Sequence, residues 1–195
     1  MTKEELYEAL NYVSASRENR TKMASKIEGN LHLIPILIEI IKGDADPISC
    51  KAGWVLESIS KINLSPIITN IDVFTESLKH ISLESSVRPA SKICQLLVIN
   101  EFSKKKEKPK QNLTTNHLNI ITEAAFDWLI GDYKVAPKAY SMTTLLLIGR
   151  RIKWIHPELQ QILKQNYESG SAAYKARARM TLKVLEKSSA FKNLL

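Results

Sequence analysis

The chain has 195 residues, which suits one domain and at most two. Hydrophobic residues make up 44% and charged residues 25%, a balance that excludes a wholly disordered chain. Lysine and arginine number 28 against 20 aspartates and glutamates, and the resulting +8 points to an acidic partner such as nucleic acid or an anionic surface. No run reaches the ~18 apolar residues that a membrane span requires. The opening MTKEELYEAL lacks the basic-then-apolar order of a secretory signal. Cys50 and Cys94 are too few and too far apart for a disulfide framework or a zinc site, so the expected setting is reduced and cytoplasmic, without membrane contact.

In chain order, Thr2 and Glu5 have capping-box spacing, and Leu6, Leu10 and Val13 repeat helically behind them. A second short helix is predicted from about Arg20 to Ile27, closed by Gly29. Leu33–Ile41 is dense in apolar residues and ends at Gly43, where a residue without Cβ suits left-handed helix-terminal geometry. Pro35, Pro47, Pro66, Pro89, Pro137 and Pro157 fall at or near predicted helix starts, where the missing N–H costs nothing. The seventh, Pro109, lies in the run KKKEKPK from Lys104 to Lys110. No alternating strand pattern competes with this helical punctuation.

The charge is unevenly placed. Residues 1–103 carry 11 basic and 13 acidic side chains, and Lys104–Lys110 carry five lysines and one glutamate. From Lys134 to Leu195 there are 12 basic residues and only Glu158, Glu168 and Glu186 to oppose them. The excess belongs to a lysine-rich connection, expected to be flexible over 103–113, and to the last third of the chain.

An internal repeat emerges when the second helix of each predicted hairpin is aligned. Ala52, Val55, Ile59; Ala90, Ile93, Leu97; Ala139, Met142, Leu146; and Ala178, Thr181, Leu185 share one pattern, with Thr181 its weakest member. The alanines lie 38, 49 and 39 residues apart, and removing about ten residues of the lysine-rich insertion restores a period near that of HEAT and armadillo repeats. Each hairpin would leave an apolar face exposed unless it stacked on its neighbours.

The pieces DADPISCKAGWVL, ESSVRPASKICQLL and GDYKVAPKAYSMTTLL resemble the HEAT family: an acidic residue in the turn, a basic residue soon after, then alanine and leucine at helical spacing. The resemblance covers roughly residues 32–187. It implies an all-α, right-handed α-α superhelix of about five hairpins, forming a single domain over 1–195. It also implies inter-repeat pairs of Asp46 with Lys51, Glu84 with Arg88 and Asp132 with Lys138, whereas Arg177 lacks a nearby acid. The whole chain further resembles short bacterial HEAT-like proteins often labelled adenylosuccinate lyase. Lyases of that superfamily are longer and carry a loop S-S-x-M-P-x-K-x-N-P. Here the matching segment starts Ser85-Ser86-Val87-Arg88-Pro89, with Arg88 in place of methionine, Ser91 in place of lysine and no Asn-Pro.

Candidate sites follow from residue type and register. Lys51, Arg88, Lys138 and Arg177 precede the repeat alanines by one or two residues, and would either line an anion-binding groove or be consumed by the inter-repeat acids. Lys175, Arg179, Lys183 and Lys187 recur every four residues, a band suited to phosphates or to an acidic protein, or simply to the polar outer face of a terminal repeat. Arg150, Arg151 and Lys153 would extend that band. Trp54 lies about 200° around its helix from Ala52, either as an exposed anchor or packed under the N-terminal helices. DNA alkylation-repair glycosylases built from HEAT-like repeats use an aromatic-lined basic cleft and an essential acid, to which Trp128-x-x-x-Asp132 is similar in type and spacing, so Asp132 is the one catalytic candidate. His32, His80, His117 and His156 are dispersed, and neither a metal nor another cofactor is expected. The function expected is a non-catalytic binding scaffold for a protein or other acidic macromolecule. A DNA-binding protein or glycosylase is the chief alternative, and the lyase a further one.

Overall fold

The computed structural model describes residues 1–102 and 112–192, with side chains through position 187. The expected lysine-rich connection at 103–113 therefore lies, from 103 to 111, outside the described residues. All regular structure among the described residues is helical: α1 (Lys3–Asn11), α2 (Arg17–Glu28), α3 (Ile34–Lys42), α4 (Ile48–Ile62), α5 (Ser65–Thr69), α6 (Ile71–Ser77), α7 (Glu84–Phe102), α8 (Thr115–Ile130), α9 (Val135–Ile148), α10 (Ile155–Gln165) and α11 (Ala172–Lys192), with short 3-10 turns at Leu31–Leu33 and Leu78–His80. None of the helices is long and apolar enough to cross a membrane among the described residues. The contacts gather into two compact units, Met1–Ile121 and Thr122–Leu195.

The N-terminal unit starts from its caps. Thr2 Oγ1 accepts from Glu5 N–H at 3.2 Å, while Thr2 N–H donates to Glu5 Oε2 at 2.8 Å, so two otherwise free donors at the head of α1 are satisfied. Leu6, Leu10 and Val13 behind this cap are buried. Helix α2 begins at Arg17, ahead of the predicted Arg20, because Ser16 Oγ accepts from Asn19 N–H. At the end of α3, left-handed backbone falls on Asp44 (φ 46°), whereas Gly43 keeps φ −62°. The sequence placed that geometry on the glycine. Aspartate tolerates it because its carboxylate is tied down: Asp44 Oδ2 accepts from Ser82 N–H and Ser82 Oγ, both at 2.8 Å, and from Leu83 N–H at 2.9 Å. A negative charge is thereby fixed at the head of α7, where the helix dipole favours it.

Helices α3, α4 and α7 form the centre of this unit, with α1, α2 and α6 packed around α3 and α4. The repeat stripe is its interior: Ala52, Val55, Ile59, Ala90, Ile93 and Leu97 are each at most 2% exposed. Pro89 departs from expectation, since α7 begins at Glu84 and the proline sits beyond its first turn. Its ring finds its place against Gly53 of α4, where a Cβ would come within 2.8 Å of Pro89 Cγ. On α8, His117 closes another junction. Thr114 N–H donates to His117 Nδ1 at 3.2 Å, so Nε2 carries the proton and donates to Asp72 Oδ1 of α6 at 2.6 Å.

In the C-terminal unit α9, α10 and α11 pack against one another. Phe126 of α8 stacks on Trp154, the residue that precedes α10, at 5.7 Å between ring centroids. The repeat register is kept on α11, where Ala178, Thr181 and Leu185 are buried. On α9 the buried face is turned toward Met142 and Leu145, leaving Ala139 and Leu146 half-buried.

The Gly53 contact sets two effects against each other. Alanine is favoured over glycine in a helix by about 1 kcal/mol. A rigid proline ring 2.8 Å from the new Cβ forces α4 and α7 apart, an overpacking cost of about 1–3 kcal/mol. Gly53→Ala is therefore expected to lower the midpoint of urea unfolding, and an unchanged or raised midpoint would show that the helices separate freely.

Candidate functional site

The cations read as candidates fall into two groups. In the N-terminal unit they are engaged by the fold. Lys51 Nζ donates to the carbonyl of Asn11 at the C-terminal end of α1, at 2.7 Å, a position where the helix dipole favours a cation. Its expected partner Asp46 accepts instead from Ser85 Oγ at 3.2 Å. Arg88 Nη1 reaches across from α7 to Glu57 Oε2 of α4 at 3.0 Å, rather than forming the expected pair with Glu84. Glu57 is 1% exposed, and Lys61 Nζ completes its coordination at 2.5 Å. A carboxylate that deeply buried requires paired charge, so Arg88 is a structural necessity here. Trp54 is half-buried, with the Arg20 guanidinium of α2 5.9 Å from its ring centroid.

The C-terminal unit differs. Its residues 122–195 hold 12 basic side chains against six acidic ones. Asp132 is exposed and Lys138 half-buried, and the structure gives neither side chain an ion pair or hydrogen bond among the described residues, so the expected Asp132–Lys138 pair is not formed. Arg177 is half-buried and likewise has no side-chain acceptor among the described residues. Lys175 Nζ lies 3.7 Å from Glu168, itself largely exposed, and 5.8 Å from the centre of the Tyr167 ring. Arg179 Nε donates to Tyr167 Oη at 3.2 Å, a neutral acceptor that leaves its charge uncompensated. Lys183 and Lys187 are exposed. Tyr167 thus gathers two of the four cations of the band.

Lys138 also lines an open cavity of about 330 Å³ formed by residues of the C-terminal unit. Leu129 and Val135 supply part of its apolar wall, and Asn166, Ser171 and Tyr174 part of its polar wall. The aromatic partner proposed for Asp132 is not at a surface: Trp128 is 2% exposed. The segment matched to the lyase loop forms the first turns of α7, with Ser86 fully buried. Both cysteines are free and buried, and desolvation pushes both thiols up, Cys50 with partial relief from the Ser85 hydroxyl. Among the described residues no three His, Cys, Asp or Glu side chains gather as a metal site.

Sequence reasoning missed Glu57, Tyr167 and Tyr174. Glu57 could have been suspected from its register, since it lies two residues past Val55 on a helix whose other faces are apolar; the tyrosines left no comparable signal.

Removing Arg88 leaves the buried carboxylate with only its neighbour on the same helix. Arg88→Ala is expected to lower unfolding free energy by about 1–3 kcal/mol. Lys61→Ala should cost only about 0.5 kcal/mol, because that lysine is an exposed i,i+4 partner. Urea unfolding of both variants, alone and combined with Glu57→Ala, measures the coupling, and equal losses would refute the cross-helix assignment.

No protein-family model, curated protein or solved structure matches this chain.

Proposed function

We propose that the chain is a non-catalytic binding scaffold that takes an acidic protein segment on the outer face of α11, carried on a HEAT-like superhelix. Support for the repeat architecture comes from the packing of equivalent helices, α4 with α7 and α9 with α11, and from the buried alanine-led stripes of α4, α7 and α11. The observation that carries the binding reading is the composition of α11. Met180 and Val184 are 62% and 45% exposed, one turn apart, and they are interleaved with exposed Arg179 and Lys183. Uncompensated cations beside exposed apolar side chains suit an acidic amphipathic peptide, with the charges steering encounter and the apolar groups slowing release.

A nucleic acid would use the same cations but would gain little from Met180 and Val184. Burial of Trp128 weighs against a glycosylase cleft, and burial of Ser86 in a packed helix weighs against the lyase.

Fluorescence anisotropy with a labelled acidic amphipathic peptide and with a labelled DNA duplex, each at low and high salt, tests this reading. Peptide affinity should fall as salt rises, and Arg179→Glu with Lys183→Glu should weaken it by about tenfold or more, equivalent to ~1.4 kcal/mol. Met180→Ser, which removes the apolar contact without adding charge, should weaken the peptide and spare the duplex. Tighter duplex binding that ignores Met180 would replace the protein partner by nucleic acid, and binding of neither probe at low salt would overturn the proposal.

A further inference from the structure

The turn that joins α9 to α10 carries a feature of its own within the C-terminal unit. Trp154, the residue just before α10, is 57% exposed, and its ring lies on that of Phe126 of α8, with 5.7 Å between centroids and 17° between planes. One face of the indole is therefore covered by an aromatic ring, and the accessible surface is the other face. Single exposed apolar residues are ordinary on protein surfaces. This one is distinguished by how it is held and by what stands beside it.

The turn is closed by its own backbone. Arg150 N–H donates to Leu147 O at 3.2 Å, Arg151 N–H to Ile148 O at 2.8 Å, and Ile155 N–H to Ile152 O at 3.3 Å. His156 pins the turn from the α10 side: its Nε2–H donates to Leu146 O at 2.9 Å, and its imidazole fills the space over Gly149, where a Cβ would come within 2.0 Å of Cδ2. A ring fixed in this way pays little ordering cost when a partner arrives.

Three cations share the turn, since Arg150, Arg151 and Lys153 are all exposed and residues 149–154 contain no acid. Arg150 has no side-chain acceptor among the described residues, and Lys153 Nζ ends on the Arg150 carbonyl, a neutral acceptor that leaves its charge uncompensated. The flanking helices add Glu123, three residues before Phe126, and Glu158, one turn beyond Trp154, while Asp127 points about 100° around α8 from Phe126. Cations thus outnumber acids at the ring and are gathered on the turn itself.

From this arrangement we infer that the α9–α10 turn binds single-stranded nucleic acid, an unpaired base stacking on the open face of Trp154 and the adjoining phosphates meeting Arg150, Arg151 and Lys153. The inference does not rest on the peptide reading of α11. A tryptophan that anchors a protein partner inserts its ring into a pocket. The indole here is laid flat on Phe126 and offers one face, which is the contact a base makes. A duplex has no base face to offer, because each is covered by its neighbour in the stack.

Titration of the full chain with a short oligothymidylate, followed by tryptophan fluorescence at several salt concentrations, tests the site. Saturable quenching is expected, with log affinity falling against log salt at a slope of about −2 for three phosphate contacts. Trp154→Leu should abolish the quenching and weaken binding about tenfold, whereas Trp154→Tyr, which keeps a stacking ring, should retain most of the affinity. Arg150→Gln with Lys153→Gln should reduce the slope to about −0.7. Arg179→Glu with Lys183→Glu should leave the oligothymidylate nearly unaffected, so that failure of the α11 reading and failure of this one are told apart. Absence of saturable binding at low salt, an unaltered affinity in Trp154→Leu, or equal binding of a duplex would overturn the inference. So would tighter binding to vesicles containing anionic lipid with a blue shift of Trp154 emission, which would assign the turn to a membrane surface.

Discussion

The buried carboxylate of Glu57 governs how charge is paired at the centre of the N-terminal unit. Glu57 faces the seam between α4 and α7, the two helices brought together through Gly53 and Pro89, and only 1% of it reaches solvent. In such a setting an unpaired negative charge would be far more costly than any single packing contact. The seam therefore needs a guanidinium from the facing helix, and Arg88 provides it while Lys61 closes the outer side. A residue that reads as a candidate ligand for an external anion is committed to an internal one.

The same logic separates the two units. In the first, Lys51 ends on a helix carbonyl and Arg88 on Glu57, so these cations hold helices together. In the second, twice as many basic as acidic residues leave Lys138, Arg177 and Lys183 without internal acceptors among the described residues. Exposed ion pairs such as Lys175 with Glu168 contribute little to stability. On α11 these cations stand beside exposed apolar side chains, and Lys138 lines an open cavity.

Two polar groups show how tightly the backbone is specified. Asp44 accepts left-handed geometry because three donors from the chain ahead of α7 converge on one of its oxygens. Tyr174 is fixed against Gly170, and its hydroxyl has no hydrogen-bond partner among the described residues. Each residue nonetheless keeps one buried polar atom without a partner among the described residues, Oδ1 of Asp44 and the hydroxyl of Tyr174.

What the sequence determined by itself was the helical class, the caps and the buried register, because these depend on local spacing. Thr2 with Glu5 forms its box, and the alanine-led stripes of α4, α7 and α11 are interior. Proline punctuation located most helix starts and failed at Pro89, whose position is set by a glycine 36 residues earlier in the chain. Only the tertiary structure decided which acid each cation meets. Asp46 and Lys51 stand five residues apart, yet they bind Ser85 and Asn11, because a long side chain takes whichever partner packing brings within reach. For the same reason spacing made Trp128 and Asp132 look like a catalytic pair, while packing put the tryptophan in the core and left the aspartate at the surface. Charge along a chain is fixed by composition, but whether that charge is free to bind is fixed by its neighbours in space.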